Sequence, residues 1–267
     1  MSDWRPKLIV SDMDGTLLRW DETVSDATVA ELERWRADGV PVVPATGRPP
    51  RWMHDIRKVL GVGTAVCCNG AVLLDLTSFE ILEEIALQPK RLRAITDELR
   101  AARDDMWFAV EYGFEFRHEP HYRPRWDVDV PGVAEATVDE MVRAPAAKLL
   151  VRSESMPRDA FVELVSTVVG ETATVTNSSA EALAEVSAPG VTKATGVAHV
   201  AAAHGIGAED VVVFGDMPND IAAFEWVRAG GGRAVAMAHA HPELMAVATD
   251  VTGTNDEDGV ASFLAAL

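Results

Sequence analysis

Short apolar runs of strand length alternate with longer helical stretches in the first and last parts of this chain, and that alternation restricts its fold more than any other feature. "KLIV" reads as a strand. "SDATVAELERWRADG" reads as a helix with Ser25 as N-cap, Val29 and Leu32 one turn apart, and Gly39 as the stop. "VPVVPATGR" then reads as a strand running into a polar turn, followed by a short helix over 52–60. Strands separated by helices of this length pair in parallel, so the spacing predicts an α/β fold with a doubly wound, Rossmann-like parallel sheet. "AVCCNGAVLL" adds two apolar runs joined at Asn69-Gly70, a hairpin signal. The alternation returns with "GVTKATGVAHVAAAHGI", a helix carrying Lys193 near its start, and continues through the strands "DVVVFGD" and "RAVAMA".

Between these parts the texture changes. "PKRLRAITDELRAAR" is an amphipathic helix with Leu92, Ile95 and Leu99 on one face, and "MWFAVEYGFEFRHE" reads as two strands turning at Gly113. After a polar loop bearing Pro and aromatic residues come a strand at "AKLLVR", a helix over 159–169, and strands at "TATVT" and "LAEVS". The expected organisation is a core of residues 1–85 and 189–267, interrupted by an inserted α+β domain of residues 86–188. A chain of 267 residues is long enough for one large core or two smaller ones.

Composition excludes some partners. The net charge of −18 disfavours nucleic acid or an anionic membrane, both of which reward clustered Lys and Arg. No apolar run approaches the roughly 18 residues that cross a bilayer, and "MSDWRPK" lacks a signal-peptide layout, so a cytoplasmic location is expected. Cys67 and Cys68 are adjacent within an apolar run and suit neither a disulfide nor a zinc site, which makes them small buried residues. An anionic substrate would then need local help from a cation.

The chemistry concentrates where strands end. In an open parallel sheet, ligands bind at the carboxyl ends of the strands, near the point where strand order reverses. Asp12 and Asp14, Thr46-Gly47-Arg48, and Asp216 with Asn219 and Asp220 all follow apolar strands, while Lys193 opens a helix. Like charges as close as Asp12 and Asp14 repel unless a cation or proton is shared. Converging, these groups would supply carboxylates for a hard cation, a hydroxyl, backbone donors and one ammonium. That inventory suits Mg²⁺ with a substrate phosphate.

"DMDGTLL", "ATGR", "VTKATGVAHV" and "VVVFGDMPNDI" resemble, in order, the motifs of the haloacid dehalogenase superfamily. With the insertion between the second and third motifs, and with "CNGA" and "TNDEDGVASFL", the chain is similar to the Cof-type phosphatases that carry a type 2B cap. The resemblance implies that Asp12 is the nucleophile forming an aspartyl-phosphate, and that Asp14 is the general acid/base whose backbone carbonyl also binds metal. It further implies that Thr46 and the Gly47 amide bind phosphate, that Lys193 neutralises nucleophile and phosphate, and that Asp216 holds Mg²⁺. Asn219 would touch phosphate, with Asp220 behind it. The implied activity is an Mg²⁺-dependent phosphatase acting on small phosphorylated metabolites, sugar phosphates first, as a monomer or homodimer. Rivals are a phosphosugar mutase of the same superfamily and a non-catalytic phospho-accepting signalling or binding protein, against which the Asp-x-Asp and the long insertion argue.

Other polar residues have plainer readings. Arg48 either reaches substrate or braces a turn, and Asn69-Gly70 is a hairpin. Trp107, His118, His121, Tyr122, Arg123, Arg125 and Trp126 could read a leaving group, but a loop of packed aromatics is the favoured expectation. His199, His204, His239 and His241 are expected to pack or cap helices.

Overall fold

A computed structural model describes residues 4–124, 131–177 and 181–267. Along the chain run β1 (Leu8–Ser11), α1 (Asp26–Ala37), β2 (Val42–Pro44), α2 (His54–Leu60), β3 (Thr64–Cys67), β4 (Val72–Asp75) and β5 (Ile81–Glu84). Next come α3 (Pro89–Ala102), β6 (Trp107–Tyr112), β7 (Glu115–His118), β8 (Val133–Glu135), α4 (Val138–Met141), β9 (Lys148–Arg152), α5 (Arg158–Val169), β10 (Thr174–Thr176) and β11 (Leu183–Ser187). The chain ends with α6 (Lys193–Ala203), β12 (Val211–Gly215), α7 (Ile221–Gly230), β13 (Arg233–Ala236), α8 (Pro242–Met245), β14 (Asp250–Val251) and α9 (Gly259–Ala265). These elements form two compact units. One comprises Met1–Arg48, Trp52–Leu82 and Thr192–Leu267; the other comprises Pro49–Arg51 and Glu83–Val191.

In the first unit the sheet order is β14-β13-β12-β1-β2, with every neighbouring pair parallel. The chain steps from β1 outward to β2, then returns to the other side of β1 at β12 and moves outward again. Strand order therefore reverses between β1 and β12, which pair with Leu8 opposite Val211 and Ser11 opposite Phe214. Both strands are fully buried, which is why "LIVS" and "VVVFG" are continuous rather than alternating apolar runs. Val197 and Val200 of α6 and Phe224 and Val227 of α7 complete the core against Leu8, Val10, Val211 and Val213. Ser25 caps α1 as its spacing predicts, its hydroxyl accepting from the Thr28 amide at 3.0 Å.

The hairpin at Asn69-Gly70 forms, but not as a two-residue turn. β3 and β4 pair antiparallel with Cys67 opposite Val72, so the loop is Cys68–Ala71. Its first residues make a 3-10 turn in which Cys68, Asn69 and Gly70 all have positive φ. Gly70 is obligatory for a tertiary reason: at φ +103, an added Cβ would lie 2.1 Å from the Thr192 carbonyl oxygen just before α6.

In the second unit a sheet of order β10-β11-β9-β6-β7-β8 is antiparallel except for the β7–β8 pair. Leu92, Ile95 and Leu99 of α3 and Phe161, Val165 and Val169 of α5 bury Phe108, Val110, Leu149, Val151, Ala184 and Val186 on one face. The opposite set of the same strands includes Glu111, Lys148 and Glu185, all buried. Lys148 donates to Glu185 at 2.5 Å, and Arg51 pairs with Glu111. Period-two alternation alone marks these charges as a solvated face, so the sequence gives no sign of their burial. The described aromatic residues here pack: the Trp107 and His121 rings stack at 4.6 Å, Tyr122 is buried against Phe116, and His118 Nδ1 lies 2.8 Å from the Glu119 carbonyl. Arg123 adopts a left-handed φ of 49 and its carbonyl accepts from Arg152. Arg125 and Trp126 lie outside the described residues.

Candidate active site

β1 delivers Asp12 one residue past its end, with the Asp12 amide still bonded to the Phe214 carbonyl at 3.0 Å. β12, its neighbour across the reversal of strand order, delivers Asp216 in the same way. Gly15 lets the turn after β1 close over Asp216: its φ is +74, and an added Cβ would sit 2.4 Å from Asp216 Oδ2. The Thr16 hydroxyl, on the same turn, donates to Asp216 Oδ1 at 3.3 Å. After Asp216 the chain makes a 3-10 turn, Pro218–Asp220, and Asp220 Oδ2 accepts from the Asp216 and Met217 amides at 3.2 Å each. The Thr192 hydroxyl caps α6, so the helix begins at Lys193. Lys193, with 1% of its side chain exposed, donates to Asp12 Oδ1 at 2.7 Å and Asp220 Oδ1 at 2.6 Å.

Carboxylate oxygens of Asp12, Asp216 and Asp220 lie within 4.8 Å of one another, all three residues buried. Three anions meet one ammonium, an imbalance that burial makes costly. The consequence shows in their protonation. Burial, with Asp220 and Asp216 nearby, pushes the Asp12 carboxyl well up despite Lys193, and burial with Asp220 pushes Asp216 up to about 7. Lys193 is held firmly charged: burial opposes its proton, but Asp12 and Asp220 together raise its pKa. A divalent cation would balance the cluster, and oxygen donors with no sulfur or imidazole among the three suit a hard one. The donor set therefore fits Mg²⁺.

Of the residues expected at the site, Asp12, Lys193, Asp216 and Asp220 come together. Thr46 is fully buried just past β2, where its hydroxyl accepts from the Arg48 amide at 3.0 Å; Gly47 follows it. Asn219 is buried, its amide donating to Asn69 Oδ1 at 3.1 Å. The Asp14 carboxylate stands apart from the acidic cluster. Its side chain is 58% exposed and is gripped by Arg48, whose Nε lies 2.9 Å from Oδ2 and 3.1 Å from Oδ1.

Two neighbours of the site escaped the sequence reading. Asn69, read as a hairpin residue, is buried and binds Asn219; its left-handed φ of 54 is tertiary information that no local pattern carries. His239, expected to pack or cap, places Nε2 2.8 Å from the Gly15 carbonyl and 3.8 Å from Asp216 Oδ2. Because a carbonyl can only accept, Nε2 carries the proton. His239 lies shortly after β13, so the strand-end rule that found Asp12 and Asp216 would have found it too. His241 does cap, accepting from the Glu243 amide ahead of α8. Cys67 and Cys68 are both buried, and neither is in a disulfide among the described residues.

The family described as haloacid dehalogenase-like hydrolase matches residues 9–264. Among curated relatives, the 5-amino-6-(5-phospho-D-ribitylamino)uracil phosphatase YitU of Bacillus subtilis is 26% identical, covering 97% of each chain. The pyridoxal phosphate phosphatase YbhA of Escherichia coli is 25% identical over 97% of each. Among solved structures, a haloacid dehalogenase-like hydrolase from B. subtilis has a TM-score of 0.82 at 25% identity, covering 98% of this chain and 99% of its own. A haloacid dehalogenase subclass IIB sugar phosphatase shares the fold with a TM-score of 0.82 at 20% identity, covering 97% of this chain and 98% of its own. Among the described residues, no helix is long and apolar enough to cross a membrane.

Proposed function

This chain belongs to the haloacid dehalogenase-like hydrolases and is a phosphoric monoester hydrolase of the Cof type, and on that premise we propose that it is Mg²⁺-dependent and works through an aspartyl-phosphate on Asp12. The observation that carries this reading is the buried grip of Lys193 on Asp12 beside Asp216 and Asp220. Asp12 accepts from the Lys193 ammonium at 2.7 Å, at the strand-order reversal where a parallel sheet receives its ligands.

In the proposed reaction a carboxylate oxygen of Asp12 attacks phosphorus, the bond from phosphorus to the ester oxygen breaks, and Asp14 protonates the departing alcohol. Asp14 then takes a proton from water, water oxygen attacks phosphorus, and cleavage of the bond to Asp12 releases inorganic phosphate. Lys193 offsets charge on the nucleophile and the phosphoryl oxygens throughout. Thr46, the Gly47 amide and Asn219 are assigned to phosphate binding. Asp12 and Asp216, with the Asp14 backbone carbonyl, would hold Mg²⁺, which would supply charge neutralisation for the phosphoryl oxygens. The inserted segment of residues 86–188 acts as the cap that selects the leaving group, and small phosphorylated metabolites are the substrate class, with sugar phosphates leading. The phosphorylated pyrimidine and pyridoxal phosphate named for the relatives belong in the same panel.

The test is phosphate release from such a panel by wild type and Asp12→Asn, each with Mg²⁺ and with EDTA. Release that needs metal and disappears in the variant supports the mechanism. Phosphate retained on a sugar acceptor instead of released to water would establish the mutase, and metal-independent release by Asp12→Asn would overturn the nucleophile assignment.

A further inference from the structure

Arg48 has a place at this site that phosphate binding does not account for. It lies just past β2 and turns its guanidinium to Asp14, not to the cluster of Asp12, Asp216 and Asp220. Nε reaches both carboxylate oxygens, at 2.9 and 3.1 Å, and Nη2 reaches Oδ1 at 2.5 Å. This is a fork on a carboxylate, which fixes direction as well as distance.

Arg48 is itself held in place. Its amide donates to the Thr46 hydroxyl at 3.0 Å, its carbonyl accepts from the Cys68 amide at 3.0 Å, and 16% of its side chain is exposed. Asp14, by contrast, is 58% exposed and follows the nucleophile on a turn. A carboxylate that open to water would sample several rotamers, and only some of them can meet a leaving oxygen above Asp12. A half-exposed ion pair contributes little to folding. Stability therefore does not explain why an anchored, largely buried arginine is spent on it.

We infer that Arg48 is a positioning residue that acts through Asp14, confining its carboxylate to one orientation. The inference rests on the proposed role of Asp14 as general acid/base. It assigns Arg48 neither to phosphate nor to the leaving group.

The experiment measures kcat and KM for wild type, Arg48→Ala, Arg48→Lys, Asp14→Asn and the Arg48→Ala/Asp14→Asn pair, on p-nitrophenyl phosphate and phenyl phosphate. The phenyl ester has the poorer leaving group and leans harder on a proton donor. Arg48→Ala is expected to lower kcat on phenyl phosphate about ten-fold or more, against about three-fold or less on p-nitrophenyl phosphate, with KM little changed. Arg48→Lys, which keeps the charge but loses the fork, recovers part of the rate. In the Asp14→Asn background the Arg48→Ala effect vanishes, since residues acting as one unit are not additive.

An Arg48→Ala loss that persists in that background, that falls equally on both esters, or that appears in KM overturns the inference. So does a large drop in melting temperature shared by Arg48→Ala and Arg48→Lys, because the residue would then brace the fold. If instead Asp14→Asn matches wild type on both esters, the acid/base reading of Asp14 has failed and the inference falls with it. Wild-type activity with a damaged Asp14→Asn and an additive Arg48→Ala overturns the Arg48 inference alone.

Discussion

Lys193 is the residue on which the site's charge balance turns. Three buried carboxylates would repel one another without it, and its ammonium bonds two of them. Lys193→Met keeps much of the volume and removes the charge, so about 3–5 kcal/mol of stability is expected to be lost in urea denaturation, with added Mg²⁺ restoring part of it. Phosphatase turnover in the same variant should fall by about 100-fold or more. Asp12, Asp216 and Lys193 were legible in sequence because each stands at a strand end or helix start, where backbone geometry aims it. Asn69 was not, because its importance lies in a bond to Asn219, 150 residues away.

Each secondary element contributes to the site through one end. The first turn of α6 is set by the Thr192 cap and by the close approach of Gly70, and Lys193 is the first residue after that cap. Thr192→Ala should lower stability by about 1 kcal/mol in chemical denaturation and reduce kcat more than KM, since the helix start that aims Lys193 would fray. In the second unit, strands β9 and β11 bring Lys148 and Glu185 together with 3% and 4% of their side chains exposed. Lys148→Met would leave Glu185 buried without this partner, and a loss of about 3–5 kcal/mol is expected, read as a lower midpoint in thermal unfolding. Lys148→Met with Glu185→Leu should recover most of that loss, because an apolar pair replaces the ions.

For the molecule as a whole, the acidic cluster couples folding, pH and metal. Asp216 has its carboxyl raised from 3.8 to about 7, and Asp12 is raised as well, so the folded state binds more protons than the unfolded chain in that interval. The contribution of these two carboxyls to the stability of metal-free protein therefore declines as pH rises from 3.8 through about 7, while carboxyls held low by hydrogen bonds, such as Asp75, Glu140 and Glu257, oppose that trend only at the lower end of the range. Mg²⁺ that binds the folded state alone opposes this decline by mass action. Melting curves in the upper half of that range, above the ordinary carboxylate values, should show a falling midpoint in EDTA and a flatter profile in excess Mg²⁺. A midpoint in EDTA that rises with pH in that upper half would contradict the charge assignment.

The sequence by itself determined the alternation of strands and helices, the inserted α+β segment and the polar residues at strand ends. Those features depend on periodicity and turn chemistry within a few residues, which the backbone imposes locally. Only the tertiary structure decided which side chains meet. Lys193 bridges Asp12 and Asp220 from 181 and 27 residues away, Arg48 takes Asp14 across 34, and Glu111, Lys148 and Glu185 are buried on a sheet face whose alternation reads as solvated. The partner of a charge is set by how sheets and helices pack, and packing is a property of the whole chain that no local window of sequence contains.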